Sequence, residues 1–322
     1  MKWLSDQAVD QLLAVIELPD LGETRYRPLR LLAHGGMGVV WLAEDTTLHR
    51  KVALKIIHIG DSNGELASRL LREAEILASM EHPGIVPVHD AGTLPSGLVF
   101  YCMKYVHGLT LQRHVSSLTS IAERLRLMQR IAEPVAFAHS KGVLHRDLKP
   151  SNIMIGLFGE VLVMDWGLAK LAACESRMTL LPSESSLGSD STGVVGTLGY
   201  MSPEQARGDL LDERTDIFSL GAVMVFVLTD SEPGETGRFE SLPRQLKAIC
   251  RKAMAPDVET RYRSVGDFTS DISRYLEQMP VSAYRENFLD RAARLINRHG
   301  AAIGLVLVYV IMRILFIIFA KH

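Results

Sequence analysis

Val143-Leu144-His145-Arg146-Asp147-Leu148-Lys149-Pro150-Ser151-Asn152, followed after a short apolar run by Asp165-Trp166-Gly167, is the stretch on which the reading of this chain turns. A lone Asp or Asn is ordinarily a turn or cap residue. Here the polar residues come as a set with a fixed order. The apolar periodicity from Ile121 predicts a helix ending near Ala138–His139, which makes His145 to Asn152 a loop. The run Val161 to Met164 predicts a short strand that delivers Asp165 to the same cleft.

Phosphoryl transfer requires a carboxylate to orient the attacking hydroxyl, a second carboxylate and an amide to hold Mg²⁺, and a lysine near the migrating charge. Asp147, Asp165, Asn152 and Lys149 supply those groups in that order of role.

Composition bounds the alternatives. The chain has 322 residues, enough for one large domain or two modest ones with a well-buried core. Its net charge of −2, from 35 basic and 37 acidic residues, gives no field and no basic tail that would indicate a nucleic-acid partner. Cys102, Cys174 and Cys250 share no metal-ligand spacing and form no disulfide framework, which suits a reducing cytoplasmic setting. Met1 to Asp10 lacks the uninterrupted apolar core of a signal peptide. Residues 1–25 read as a leader containing an amphipathic stretch, Val9 to Ile16.

From Tyr26 the pattern is strand-like, with Leu29, Leu31, Val39, Val40, Leu42 and Val52 to Ile57 interrupted by His34-Gly35-Gly36-Met37-Gly38 and by the polar turn Asp45 to Lys51. Glycines at such a place let a hairpin pass close over phosphates and offer them backbone N–H groups. Arg69 to Leu77 follows with apolar residues at helical spacing.

Together these motifs resemble the protein kinase family, and within it the bacterial Ser/Thr kinases similar to eukaryotic ones. The resemblance rests on His145-Arg146-Asp147-Leu148-Lys149-Pro150, Asp165-Trp166-Gly167, Val52-Ala53-Leu54-Lys55, and Gly196-Thr197-Leu198-Gly199-Tyr200-Met201-Ser202-Pro203-Glu204-Gln205. It implies an α+β, two-lobed protein kinase fold over residues 26–277, with an antiparallel small lobe (about 26–106) and a mainly helical large lobe (about 107–277). By the same resemblance Asp147 accepts the substrate hydroxyl proton, Lys149 sits near the γ-phosphate, and Asn152 and Asp165 hold Mg²⁺ (or Mn²⁺). Lys55 reaches the α- and β-phosphates of ATP and pairs with Glu73, or alternatively with Glu75.

Ala33, His34, Gly35, Gly36, Met37 and Gly38 form the implied phosphate loop, with Ala33 in place of the family's first glycine. Met103 is the gatekeeper, and Lys104, Tyr105 and Val106 are the hinge whose backbone would bond adenine. Val40, Ala53, Met154 and Met164 stand where the family sandwiches the adenine ring. Asp216 is expected to steady the catalytic loop, Glu204 to pair with Arg261, and Trp166 to pack beneath the helix carrying Glu73.

Arg146 beside Asp147 implies regulation by phosphorylation of the Ser/Thr-rich segment 168–195, with Ser189, Ser191 and Thr192 as the candidate sites. Such autophosphorylation in trans would require self-association. Thr197 belongs to the implied substrate turn. Thr229 to Gln245, polar and Gly/Pro-containing, reads as a loop where family members place a longer stretch. Ala33 and this short segment raise the alternative of a nucleotide-binding scaffold, in which the complete polar set would have no use.

Ala301 to Ala320 is an apolar run broken only by Arg313, long enough to cross roughly 30 Å of hydrocarbon as a transmembrane helix. Arg313 opposes insertion by roughly 2.5 to 3.5 kcal/mol, while each Val, Leu, Ile and Phe favours it by roughly 0.3 to 0.6 kcal/mol. There are thirteen of these apolar residues, so their sum prevails. Arg285, Arg291, Arg294 and Arg298 precede the run and Lys321 follows it, which places the N-terminal side in the cytoplasm. Residues 278–300 read as a juxtamembrane segment, with Phe288, Leu289, Ala292, Leu295 and Ile296 on one face of an amphipathic helix. The implied whole is an ATP-dependent Ser/Thr kinase anchored to the lipid bilayer by its C-terminus.

Overall fold

The computed structural model describes residues 20–22, 24–35, 38–57, 65–166, 199–286, 305 and 308–313. Its N-terminal part is a five-stranded antiparallel sheet in the order β1-β2-β3-β5-β4, built from β1 (Tyr26–Gly35), β2 (Gly38–Asp45), β3 (Arg50–Ile57), β4 (Val88–Thr93) and β5 (Val99–Lys104). Between β3 and β4 lies the helix α1 (Glu65–Ala78), whose Leu70, Ala74 and Leu77 are buried at the i, i+4, i+7 spacing of one helical face. Gly38 admits no other residue without a shift. Its φ is +140°, and a Cβ there would lie 2.0 Å from the Ile56 carbonyl oxygen.

The C-terminal part is mainly helical. A second sheet of three short strands, β6 (Gly108–Thr110), β7 (Ile153–Gly156) and β8 (Val161–Val163), lies at its edge. The helices are α2 (Leu111–His114), α3 (Ile121–Ser140), α4 (Pro203–Arg207), α5 (Glu213–Thr229), α6 (Thr236–Glu240), α7 (Arg244–Ala253) and α8 (Val265–Leu276). A capping box starts α3: the Ser120 hydroxyl accepts from the Glu123 amide, and the Glu123 carboxylate accepts from the Ser120 amide. Apolar on every side, α5 is buried along almost its whole length, so it is the central helix of this lobe. α3, α6, α7 and α8 pack against it, α7 with an apolar stripe of Leu246, Ile249, Cys250 and Ala253.

The segment Thr229 to Gln245, expected as a loop, instead contains α6 and the start of α7. Arg238 explains its order. From α6 its guanidinium donates to the Thr229 carbonyl at the end of α5, while Glu240 pairs with Lys247 and Arg251 on α7. Such tertiary bonds stabilise a helix too short to form alone.

The expected leader lies outside the described residues, apart from its last few. Of the segment expected to cross the membrane only Leu305 and residues 308–313 are described, as helix with exposed side chains. Among the described residues no helix is long and apolar enough to cross a membrane.

Candidate active site

The catalytic string sits between α3 and β7, and its backbone is fixed from below. The Asp216 carboxylate on α5 accepts from the amides of His145 (2.7 Å) and Arg146 (2.8 Å) and bonds the His139 ring at 2.8 Å. Burial raises the Asp216 pKa, but the hydrogen bond with His139 and the nearby imidazole of His145 outweigh it and hold the carboxyl below its ordinary range. Arg146 takes the left-handed conformation at φ 63°, a strain that the two flanking bonds over-determine. Gln205 on α4 adds a third restraint by donating its side-chain amide to the Arg146 carbonyl.

His145 is a buried ring wedged between the two halves of the string. Its Nδ1 accepts from the Asp147 amide at 3.2 Å, so Nε2 carries the proton and donates to the Met164 carbonyl at 3.0 Å. Burial pushes its pKa down, which keeps this neutral tautomer. The ring thereby ties the catalytic loop to the strand that ends at Asp165. Trp166 lies 4.7 Å from the same ring, centroid to centroid, and belongs to the core cluster that holds Leu70 and Leu77 of α1.

Four of the predicted polar groups converge. Lys149 Nζ is 3.0 Å from Asp147 Oδ2, and the Asn152 side-chain amide donates to the Asp147 carbonyl (2.7 Å) and to its carboxylate (3.1 Å). With its nitrogen spent on Asp147, Asn152 leaves its amide oxygen as the ligand-facing atom. Across the cleft, Lys55 Nζ on β3 lies 2.6 Å from Asp165 Oδ1. Burial opposes the Lys55 charge, but the Tyr101 oxygen and the Asp165 carboxylate outweigh burial and raise its pKa above the ordinary lysine range. Asp165 itself has φ 55°, a second left-handed residue in the site.

Glu73 lies on α1, and its side chain is outside the described residues; Glu75 is exposed. Around the cleft, Ala53 pairs with Met103 across β3 and β5, and Val40 pairs with Lys55 across β2 and β3. Met154 on β7 and Met164 after β8 are half-buried against the same core. Lys104 ends β5, Tyr105 and buried Val106 follow it, and Ala33, His34 and Gly35 end β1. Gly36 and Met37, the activation-segment candidates Ser189, Ser191 and Thr192, and Thr197 lie outside the described residues.

Below the cleft, Glu204 and Arg261 form a bidentate ion pair at 2.7 and 2.8 Å, buried on both sides. Thr215 donates to the same carboxylate at 2.9 Å. Burial raises the Glu204 pKa, but the Arg261 bonds prevail and lower it to about 2.

Two contributors escaped the sequence reading. Tyr101 points from β5 to within 3.5 Å of Asp165 Oδ1, and Lys55 Nζ stands 5.7 Å from its ring centroid. In sequence Tyr101 is one more aromatic in a buried strand, and no local signal separates it from core. Gln205 closes a motif that carries the resemblance, but the sequence assigns no role to its side chain, and only the fold brings it to the Arg146 carbonyl.

A two-lobed molecule with carboxylates, an amide and a lysine gathered at the seam, on the loops that follow α3 and β8, defines a phosphotransferase architecture. The pattern of the protein kinase domain family matches residues 26–290, and the chain belongs to that family. The serine/threonine-protein kinase PknD of Chlamydia felis is 37% identical over 294 residues, covering 80% of this chain and 31% of that protein. PknD of Protochlamydia amoebophila is 34% identical over 298 residues, 78% of this chain and 30% of the relative. The chain thus spans about a third of the length of the curated relatives it matches. The crystal structure of the Mycobacterium tuberculosis PknI kinase domain superposes with a TM-score of 0.61 at 23% identity, over 79% of this chain and 96% of that one, a likeness of fold.

Proposed function

We propose that the chain is a Ser/Thr protein kinase that transfers the γ-phosphoryl group of ATP to a protein hydroxyl. The observation that carries this reading is the convergence of Asp147, Lys149 and Asn152 on one side of the cleft with the Lys55–Asp165 pair on the other. The relatives' names support it as well.

The donor set suits Mg²⁺ (or Mn²⁺). Asp165 and the Asn152 amide oxygen are hard oxygen ligands, and among the described residues no cluster of three or more His, Cys, Asp or Glu offers an all-protein cage. Magnesium is typically bound by one or two such groups plus substrate phosphates. When held there, the ion neutralises charge on the transferring phosphoryl oxygens. The chain's residues do the rest. Asp147 Oδ2, held by Lys149 and Asn152, accepts the proton of the attacking hydroxyl. Lys149 balances the charge that builds beside it, and Lys55, kept protonated by its neighbours, binds the α- and β-phosphates. Glu73 is assigned as the partner of Lys55 by its place on α1. The backbone of 104–106 would bond adenine, Val40, Ala53, Met154 and Met164 would line its ring, and the loop of 33–38 would hold the phosphates.

The reading extends to regulation and location. Arg146 marks a kinase switched by phosphate in the segment of Ser189, Ser191 and Thr192, placed there by a second copy. Ala301–Ala320 anchors the chain in a bilayer, with the amphipathic stretch expected over 278–300 lying along its cytoplasmic surface only beyond Tyr284, since Val281 is buried in the domain core, and the catalytic domain in the cytoplasm.

Incorporation of labelled phosphate from ATP by the full chain, compared with Asp147→Asn, tests the chemistry. Equal labelling in the two would sink it. Mapping the labelled residues to any segment other than 168–195 would sink the regulatory part.

A further inference from the structure

In the large lobe, α7 carries its polar residues as one basic face. Arg244, Lys247, Arg251 and Lys252 lie at helical spacings of three, four and one, opposite the apolar stripe that packs on α5. This face forms one wall of a concavity of about 700 Å³, and Ser282, Ala283 and Tyr284 form the opposite wall. One carboxylate, Glu240, pairs with Lys247 and Arg251; Arg244 is exposed and makes no ion pair among the described residues. Lys252 is held inward, 3.3 Å from Ser282 Oγ and 4.3 Å from the Tyr262 ring centroid. The concavity therefore presents four cations beside two carboxylates, Glu240 on the α7 side and the buried Asp271 behind Ser282.

A basic helix face alone would be an ordinary solvated surface. Here a second, independent feature fixes what it faces. The buried Asp271 clamps the opposite wall, accepting from the amides of Ser282 (2.6 Å) and Ala283 (3.0 Å) and from the hydroxyls of Ser282 (2.8 Å) and Tyr262 (2.8 Å). The chain thus leaves the domain at a rigid point beside the basic face. It continues through Arg285, Arg291, Arg294 and Arg298 to the apolar run that begins at Ala301. Sixteen residues from 285 to 300 span at most about 55 Å fully extended.

Resting on the membrane-anchored reading above, we infer that the concavity between α7 and Ser282–Tyr284 is a docking site for the anionic headgroups of the bilayer's cytoplasmic leaflet. It holds the kinase domain in one orientation on the membrane. The phosphodiester is the chemistry recognised: Arg244 and Arg251 offer planar forks, and Lys247 and Lys252 offer point charges. The short tether keeps lipid phosphate at high local concentration there.

The test uses the full chain in nanodiscs of phosphatidylcholine alone and of phosphatidylcholine with phosphatidylglycerol. Lysine acylation is followed by mass spectrometry, with exposed Lys51 on β3 as the internal control. Lys247 and Lys252 are expected to react several-fold more slowly in the anionic discs, with Lys51 unchanged. Arg244→Gln with Arg251→Gln restores their reactivity, because each basic residue near an anionic surface is worth roughly a fivefold preference. Free glycerophosphoglycerol added to the zwitterionic discs separates a soluble phosphate ligand from a bilayer one; protection by it at equal phosphate concentration would overturn the lipid assignment. Equal acylation in both discs, or protection that survives the double substitution, would overturn the site while leaving the anchor intact. Failure of the chain to remain with either disc would overturn the anchor, and the site with it.

Discussion

Arg261→Met offers the sharpest test of how this large lobe is held together. The substitution keeps side-chain length and apolar contact but removes both bonds to Glu204, leaving a carboxylate that is 4% exposed with the Thr215 and Ser202 hydroxyls as its remaining side-chain donors. Removing one partner of a buried ion pair destabilises by about 3 to 5 kcal/mol, because the other charge stays desolvated. The pKa gives an independent figure: a fall from 4.5 to about 2 corresponds to about 3 kcal/mol of stability at neutral pH. The sign follows from the depressed value. The contribution is complete above the unfolded pKa of 4.5 and is lost as the pH falls toward 2. Urea unfolding of the full chain at neutral pH should therefore show Arg261→Met less stable by about 3 to 5 kcal/mol. The double variant Glu204→Met with Arg261→Met should be less damaged than the sum of the single ones. Between pH 4.5 and 2, Glu204→Gln should lose less stability than the parent. A single substitution that costs under about 1 kcal/mol, or strict additivity in the cycle, would refute the reasoning.

Further expectations are simpler to state. Asp216→Ala orphans the buried amides of His145 and Arg146; each unsatisfied group costs about 1 to 3 kcal/mol, so both the melting temperature and kcat should fall, while unchanged kcat would break the link between α5 and the catalytic loop. Gln205→Leu removes one bond to the strained Arg146, which at about 1 kcal/mol should lower kcat roughly fivefold with little change in urea midpoint. Gly38→Ala forces a Cβ against the Ile56 carbonyl at a φ of +140°, and should raise the KM for ATP and lower stability by about 1 to 3 kcal/mol, read by steady-state kinetics and thermal melting.

Much of this arrangement could be read along the chain, because phosphate chemistry demands rare residue types at fixed spacings. His145 to Asn152 located a loop, and Ile121 to His139 a helix that the structure ends at Ser140. The pairing of Glu204 with Arg261, 57 residues apart, followed from resemblance, since no periodicity connects them. What stayed hidden depends on tertiary placement. Tyr101 became notable only when β5 set its hydroxyl beside Asp165, and α6 only when Arg238 and Glu240 found partners on neighbouring helices. The tautomer of His145 required both of its bonding partners to be seen together.

The tie between Asp216 and the catalytic loop also bears on how this domain fails. Asp216 is itself buried on the largely buried α5, so opening of the amides of His145 and Arg146 breaks bonds to the core of the lobe. Amide exchange at these two positions should then require the largest opening the lobe undergoes, instead of the small fluctuations usual for loops. On heating, the loop should keep its shape until the lobe itself melts, so the catalytic apparatus has no separate, lower-temperature mode of collapse.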